Sequence, residues 1–223
     1  MATQKLFWNN PYQTECTATV TEISGKKIKV DQTIFYAFSG GQLSDDETIA
    51  GISVVEATKQ GDKENIIDIE YTLEIEPHFK VGDKVEIKID PKRRDSLRRL
   101  HSAAHILYYI VVEKLGPIKI NGSEIQPDKA RMDFGYEASI IEKIPEIEKC
   151  VNEFIAGNNQ IVMESDNPKS DLQWWTCGLW KMPCGGTHVR NTSEIGQLRL
   201  TRKNKALRFF SLTHRFQPSG KSP

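Results

Sequence analysis

The hydrophobic period changes once along this chain, near residue 90, and that change restricts the fold more than any other feature. Before it, residues 17–23, 28–30, 52–57, 66–73 and 84–89 alternate apolar with polar, the period-two pattern of half-buried strands. Ser24-Gly25-Lys26-Lys27 is a turn, and several short strands at this interval predict a small β-barrel or sandwich over residues 1–90. Beyond Asp90-Pro91, Leu97, Leu100, Ala104, Leu107 and Val111 recur three and four apart until Gly116-Pro117, which predicts a helix of about five turns from Ser96. Ile144, Ile147, Val151, Phe154 and Ile155 mark a second helix, with Pro145 in its first turn and Gly157 at its end. Residues 129–134 read as a strand; after the second helix come Ile161-Val162-Met163 and a Trp-rich loop around Trp174, Trp175 and Trp180. A last hairpin pairs residues 197–202 with 207–212 across Lys203-Asn204-Lys205. The expected class is α+β: a β domain over 1–90, helices on a mainly antiparallel sheet over 91–216, and a flexible tail over 217–223.

The chain of 223 residues carries 30 basic and 30 acidic side chains, and a net charge of zero argues against coating nucleic acid or an anionic membrane through bulk charge. The charges are nevertheless segregated. Residues 1–90 hold 9 basic and 16 acidic side chains, net −7, and residues 91–223 hold 21 and 14, net +7. Either the C-terminal part faces nucleic acid, or a solvated surface is unevenly charged. No run approaches the roughly 18 apolar residues of a membrane span, and the N-terminus lacks the apolar core of a secretory signal, so a cytoplasmic location is expected. Cys16, Cys150, Cys177 and Cys184 are too few and too scattered for a disulfide framework, which leaves thiols or metal ligands.

His101 and His105 lie four apart on the first predicted helix, so their rings project from one face, flanking the Leu100/Ala104/Leu107 stripe. Far downstream stands Cys184-Gly185-Gly186-Thr187-His188, where two glycines permit a tight turn that brings thiolate and imidazole together. Three imidazoles and one thiolate form a donor set suited to Zn²⁺. His78, His214 and Cys177 lack such neighbours, and Cys16 and Cys150 read as small buried hydrophobes. Ser102-Ala103-Ala104 between the histidines removes the carboxylate base of an H-E-x-x-H protease. The H-x-E and P-C-x-x-C pairing of nucleobase deaminases is missing too, despite Pro183-Cys184.

Arg99-Leu100-His101-Ser102-Ala103-Ala104-His105, Cys184-Gly185-Gly186-Thr187-His188-Val189 and Asn191-Thr192-Ser193-Glu194-Ile195-Gly196 together resemble the editing domain of alanyl-tRNA synthetase. Phe35-Tyr36-Ala37-Phe38-Ser39-Gly40-Gly41-Gln42-Leu43-Ser44-Asp45 resembles the glycine-rich motif that precedes that domain. The resemblance spans about residues 15–212, with the motifs in the family's order. With no room for an aminoacylation domain, the chain is most similar to the free-standing AlaX relatives of medium length, which keep an N-terminal β-barrel. The resemblance implies hydrolysis in trans of tRNA(Ala) mischarged with serine, with glycine as a second candidate. It also implies His101, His105, Cys184 and His188 as zinc ligands. Phe38 and Ser39 depart from the more usual acidic or glycine neighbours of the Gly-Gly pair.

Such a reaction sends water onto an ester carbonyl through a tetrahedral oxyanion. Four protein ligands fill a tetrahedron, so either one ligand, His188, is loosely held or the metal accepts a fifth. Gly185, Gly186 and Thr187 are the candidate catalytic residues; the glycine N–H groups either hold the oxyanion or only shape the turn. Selection of serine over alanine needs polar groups for the extra hydroxyl, and Asn121, Ser123, Thr187 and the loop residues Ser39, Gly40, Gly41 and Gln42 are the candidates. Expected phosphate contacts are Lys92, Arg93, Arg94, Arg98, Arg99, Arg199, Arg202, Lys203, Lys205 and Arg208. The competing expectations are a non-catalytic, zinc-stabilised tRNA-binding module and a zinc hydrolase of another aminoacyl ester. Monomer and homodimer are equally compatible with the sequence.

Overall fold

The computed structural model describes residues 2–61, 66–136, 140–166, 172–206 and 209–216. They form two compact units that do not divide at one point of the chain. The first unit takes Met1–Asp95 with Met163–Trp175 and Met182–Thr187; the second takes Ser96–Val162, Thr176–Lys181 and His188–Pro223.

In the first unit the alternating segments become β1 (Glu15–Ser24), β2 (Lys27–Val30), β3 (Glu47–Ile49), β4 (Ile52–Gly61), β5 (Ile66–Leu73) and β6 (Lys84–Ile89). They pair antiparallel in the order β1–β2–β5–β4–β3–β6, and the ring closes where β6 pairs β1, with Ile87 opposite Cys16. Closure removes the edges that would otherwise template aggregation. The buried face carries Val20, Ile28, Val30, Ile49, Ile69, Tyr71 and Ile87. The Tyr71 hydroxyl donates to Thr33 Oγ1 at 2.7 Å, so the one polar atom of that ring is satisfied inside the core. β3 went unpredicted because three residues are too few to display a period.

Helix α1 runs Pro91–Leu115, starting at Pro91 rather than Ser96. Asp90 is its N-cap: Oδ1 accepts the N–H of Lys92 at 2.8 Å and of Arg93 at 3.2 Å, while Pro91 suits the first helical position. The dipeptide that reads as the end of a strand is equally the start of a helix. Leu97, Leu100, Ala104, Leu107 and Val111 are buried as the period demands. Gly116, at φ 85°, ends the helix and gives its N–H to Val112 O.

The second unit continues with β7 (Lys119–Ile125), β8 (Ala130–Gly135) and α2 (Ile144–Ala156). Ile147, Val151 and Ile155 are the buried face of α2. Its expected stop, Gly157, keeps φ at −67°, and Asn158 instead enters the left-handed region at φ 51°, which asparagine tolerates. The remaining strands are β9 (Ile161–Glu164), β10 (Trp174–Cys177), β11 (Trp180–Pro183), β12 (Leu198–Ala206) and β13 (Phe209–Phe216). β12–β13–β8–β7 form an antiparallel sheet, and β9–β10–β11 a smaller one. Two expectations are corrected here. The Trp-rich stretch is a hairpin rather than a loop, its reversal made by Gly178 at φ 59°. In the last hairpin Lys203 and Asn204 pair with Ser211 and Phe210, so the reversal lies further along than the charged triplet. Leu207, Arg208 and the expected tail 217–223 lie outside the described residues. No helix among the described residues is long and apolar enough to cross a membrane.

Candidate metal centre

Helix α1 places His101 and His105 one turn apart, with ring centroids separated by 4.9 Å. His188 lies 4.3 Å from the first ring and 4.7 Å from the second. The three are 5%, 8% and 2% exposed. With Cys184, their ligand atoms all lie within 4.8 Å of one another. Burial, reinforced by the His101 charge, holds His105 and His188 well below the ordinary imidazole pKa, which keeps the lone pairs that a metal needs. Burial likewise pushes the Cys184 thiol up to about 12, while the Gly186 N–H, 3.4 Å from Sγ, pulls the other way. A cation at this point reverses that penalty, because a coordinating thiol deprotonates. Three buried imidazoles and one half-buried sulfur converge and fit a metal ion; the cluster can hold one.

The orientation of His188 is set by Ser102. The Ser102 hydroxyl donates to Arg98 O at 2.9 Å, and its oxygen accepts the Val189 N–H at 3.2 Å. His188 Nδ1 stands 3.1 Å from the same oxygen. Since the single hydroxyl proton is committed to Arg98 O, the remaining lone pair takes a proton from Nδ1–H. That tautomer leaves Nε2 as the ligand atom. We expect Ser102→Ala to weaken metal affinity about 10- to 100-fold, read by competition with a chromophoric chelator; unchanged affinity would show that the ring needs no such support.

The turn that carries Cys184 is held by four hydrogen bonds within the first unit. Cys184 N–H donates to Gln173 O at 2.8 Å, and Trp8 Nε1–H donates to Gly185 O at 2.9 Å. Gln42, fully buried, makes a reciprocal pair: its Nε2 donates to Thr187 Oγ1 and its Oε1 accepts the Thr187 N–H, both at 3.0 Å. Neither Gly185 nor Gly186 has a positive φ, and a Cβ at Gly185 would meet Trp8 at an ordinary 3.9 Å. The turn therefore uses no left-handed glycine, and these hydrogen bonds hold it. Left-handed glycines are used in the other motif, where Gly40 (φ 60°) and Gly41 (φ 90°) reverse the chain between Ser39 and Gln42.

That loop is anchored by a buried ion pair. Asp45 Oδ2 accepts the Tyr36 N–H at 2.6 Å, and the Arg94 guanidinium forks both Asp45 oxygens while donating to Ile34 O and Pro11 O. Both side chains are 1% exposed. Arg94 thus cannot reach a phosphate, and its expected RNA role is withdrawn. Arg99 is engaged as well: Nε and Nη2 donate to Ile195 O at 3.1 and 2.8 Å, and the guanidinium lies 4.1 Å from the Phe216 ring centre. Gly196 is required beside it, because φ is 77° and a Cβ would stand 2.9 Å from Arg99 Nη2. Gly196→Ala should cost about 1–2 kcal/mol, measured by urea denaturation.

Among the other expected contacts, Arg93, Arg98 and Arg202 are half-buried and Lys92 and Arg199 exposed. Lys203 and Lys205 belong to β12, and their side chains lie outside those described, as does Arg208. On β7, Ser123 pairs with Met132, whereas Asn121 drops out of the ladder at a bulge between Gly122 and Ile120. Neither makes a described hydrogen bond to the cluster. Cys16 and Cys150 are half-buried rather than buried, and Cys177 is the buried thiol. Ser102, Trp8, Tyr36 and the Asp45–Arg94 pair were not singled out by sequence reasoning as supports of a site. Of these only Ser102 had a signal, a hydroxyl set between two helical histidines.

Residues 176–210 match the family model described as the second additional domain of threonyl and alanyl tRNA synthetases. Over 206 residues the chain is 32% identical to the alanyl-tRNA editing protein AlaX-M of Pyrococcus horikoshii, covering 91% of this chain and 92% of that one. The AlaX-M of Methanosarcina mazei is 34% identical over 244 residues, covering 94% and 96%. The alanine–tRNA ligase of Neorickettsia sennetsu is 33% identical over 204 residues, which are 81% of this chain and 24% of the ligase. By these relatives the sheet-rich α+β chain is a protein of the tRNA-editing class. Within that class, it belongs to the AlaX-M family of alanyl-tRNA editing proteins.

Proposed function

We propose that this protein hydrolyses the ester bond of tRNA(Ala) mischarged with serine, and secondarily with glycine, in the cytoplasm, using zinc held by His101, His105, Cys184 and His188. As an editing-family member it is an aminoacyl-tRNA deacylase. The observation that carries the reading is the three-imidazole, one-thiol cluster, whose ligand atoms all lie within 4.8 Å of one another. Zinc so bound supplies Lewis acidity toward the ester carbonyl or the attacking water.

The residues around it have separable tasks. Ser102 holds the His188 ring. The Gly186 N–H is directed at Cys184 Sγ, so we assign it to the sulfur and leave the Gly185 N–H as the oxyanion donor of the turn. Thr187 Oγ1 accepts from Gln42 Nε2, which leaves its own proton to donate to the extra hydroxyl of a seryl ester. Thr187→Val should then reduce the ratio of Ser- to Ala-tRNA hydrolysis about tenfold, the loss of one directed hydrogen bond. Asn121 and Ser123 remain candidates for the same selection, and Arg93, Arg98, Arg202, Lys203 and Lys205 for gripping phosphate, a contact that steep salt dependence would reveal. We read the closed ring of β1–β6 as the small β-barrel of the medium-length relatives.

One observation favours the zinc-stabilised binding module instead: four protein donors complete a tetrahedron, the pattern of a structural site. A panel of Ser-, Gly- and Ala-charged tRNA(Ala) separates the two. The deacylase reading predicts loss of the seryl ester with the alanyl ester surviving; a binding module leaves all three at the buffer rate.

A further inference from the structure

Trp8 Nε1–H donates to Gly185 O at 2.9 Å, and the Gly186 N–H stands 3.4 Å from Cys184 Sγ. That oxygen and that N–H are the two ends of a single peptide group. A trans peptide is planar, with its C=O and N–H pointing in opposite directions, so a donor that fixes the oxygen also fixes the aim of the N–H. Resonance couples the two ends electronically as well: a carbonyl that accepts a hydrogen bond leaves its amide N–H a stronger donor. The indole, the peptide and the sulfur thus form a chain of two hydrogen bonds, all of it within the first unit.

The segment that carries the indole holds it there. Gln4 and Lys5 pair in parallel with Gln32 and Thr33, and the next residues turn into the short helix Leu6–Asn9. Phe7, 1% exposed, meets both Tyr36 and Trp8 edge-on, with ring centres 5.4 Å apart in each case. Trp8 is itself only half-buried, against that core. The Lys5 ammonium lies 5.8 Å from the centre of the Trp8 ring, where a cation draws on the ring's electrons and leaves the indole N–H a better donor. Any large side chain at position 8 could cover apolar area; only one with an N–H at that place can donate to Gly185 O.

We propose that Trp8 is a positioning residue of the metal centre: through the Gly185–Gly186 peptide it aims and strengthens the hydrogen bond on the Cys184 sulfur, and so sets how much charge that sulfur gives to a bound metal. Hydrogen bonds to a metal-bound thiolate draw on its lone pairs and tune the metal from outside the ligand set. The proposal rests on the reading that Cys184 is a metal ligand.

The test uses full-length protein loaded with cobalt(II) in place of zinc, because a cobalt–thiolate bond gives a sulfur-to-cobalt charge-transfer band whose energy reports the charge on the sulfur. Two variants separate the indole N–H from the indole's bulk. Trp8→Phe keeps an aromatic ring and loses the donor. Trp8→His loses the bulk, but the five-membered rings of the two side chains superpose with histidine Nε2 where tryptophan has Nε1. The expected result is that Trp8→Phe moves the band to longer wavelength and weakens cobalt binding about tenfold, while Trp8→His keeps both close to those of the parent protein. A packing role gives the reverse order, with Trp8→His the more damaged, and that result overturns the proposal, as does an unmoved band in Trp8→Phe. Each variant is decisive by itself, so a failure of one to fold leaves the other. A parent cobalt complex without the charge-transfer band removes Cys184 from the ligand set and the metal reading with it; a band that is present but indifferent to Trp8→Phe overturns this inference alone.

Discussion

Cys184→Ala is expected to lower metal affinity by roughly 100-fold or more and to bring deacylation to the buffer rate. A structural zinc site of four ligands contributes on the order of 10–16 kcal/mol, so one thiolate accounts for a few kcal/mol. Its loss leaves three imidazoles and a gap where the Gly186 N–H was directed at sulfur. Cys177→Ala provides the contrast: that thiol is buried in β10 and likewise pushed up, to about 11, by burial, but it belongs to no cluster. It should cost on the order of 1 kcal/mol of stability as a small cavity and leave bound metal unchanged. Elemental analysis after dialysis against chelator, with urea unfolding of the same samples, separates the two effects. Equal metal content in both variants would remove Cys184 from the ligand set.

The largest stability effect is expected at Arg94. Arg94→Met leaves the Asp45 carboxylate buried without its partner and deprives Ile34 O and Pro11 O of their donor. Breaking a buried pair in this way costs about 3–5 kcal/mol, a large part of the roughly 5–15 kcal/mol that holds a domain together. Arg94→Lys should recover little, since a single ammonium cannot reproduce a planar fork that reaches two carboxylate oxygens and two carbonyls. The double variant Arg94→Met/Asp45→Leu should be more stable than Arg94→Met, because no uncompensated charge remains. Denaturant midpoints at constant slope measure all three. A cost below about 1 kcal/mol for Arg94→Met is what a solvated surface pair gives, and it would contradict the burial.

The parts of this molecule that were legible in advance are those written in local spacing. Strand periods, the α1 stripe and the His101/His105 pair depend on residues one to four apart, and C-x₃-H is equally local. What was misread was local text with two meanings: Asp90-Pro91 ends a strand and caps a helix, and Lys203-Asn204-Lys205 reads as a turn yet pairs in a strand. The supports of the site were illegible for a different reason. Trp8 and Gly185 are 177 residues apart, Gln42 and Thr187 145, and Arg94 and Asp45 49. No pattern along the chain announces such pairs. Arg94 shows the hazard most clearly, since within a run of arginines its sequence neighbourhood is that of a phosphate contact and its carboxylate partner lies in another motif.

The most direct test of the central claim, that these four side chains hold the metal on which editing depends, is the rate of Ser-tRNA(Ala) hydrolysis as zinc is removed and then returned. The rate should fall to that of buffer as metal is stripped and climb in proportion to zinc until one ion is bound per chain, with Cys184→Ala failing to recover at the same concentrations. Full hydrolysis by protein stripped of metal would contradict the account.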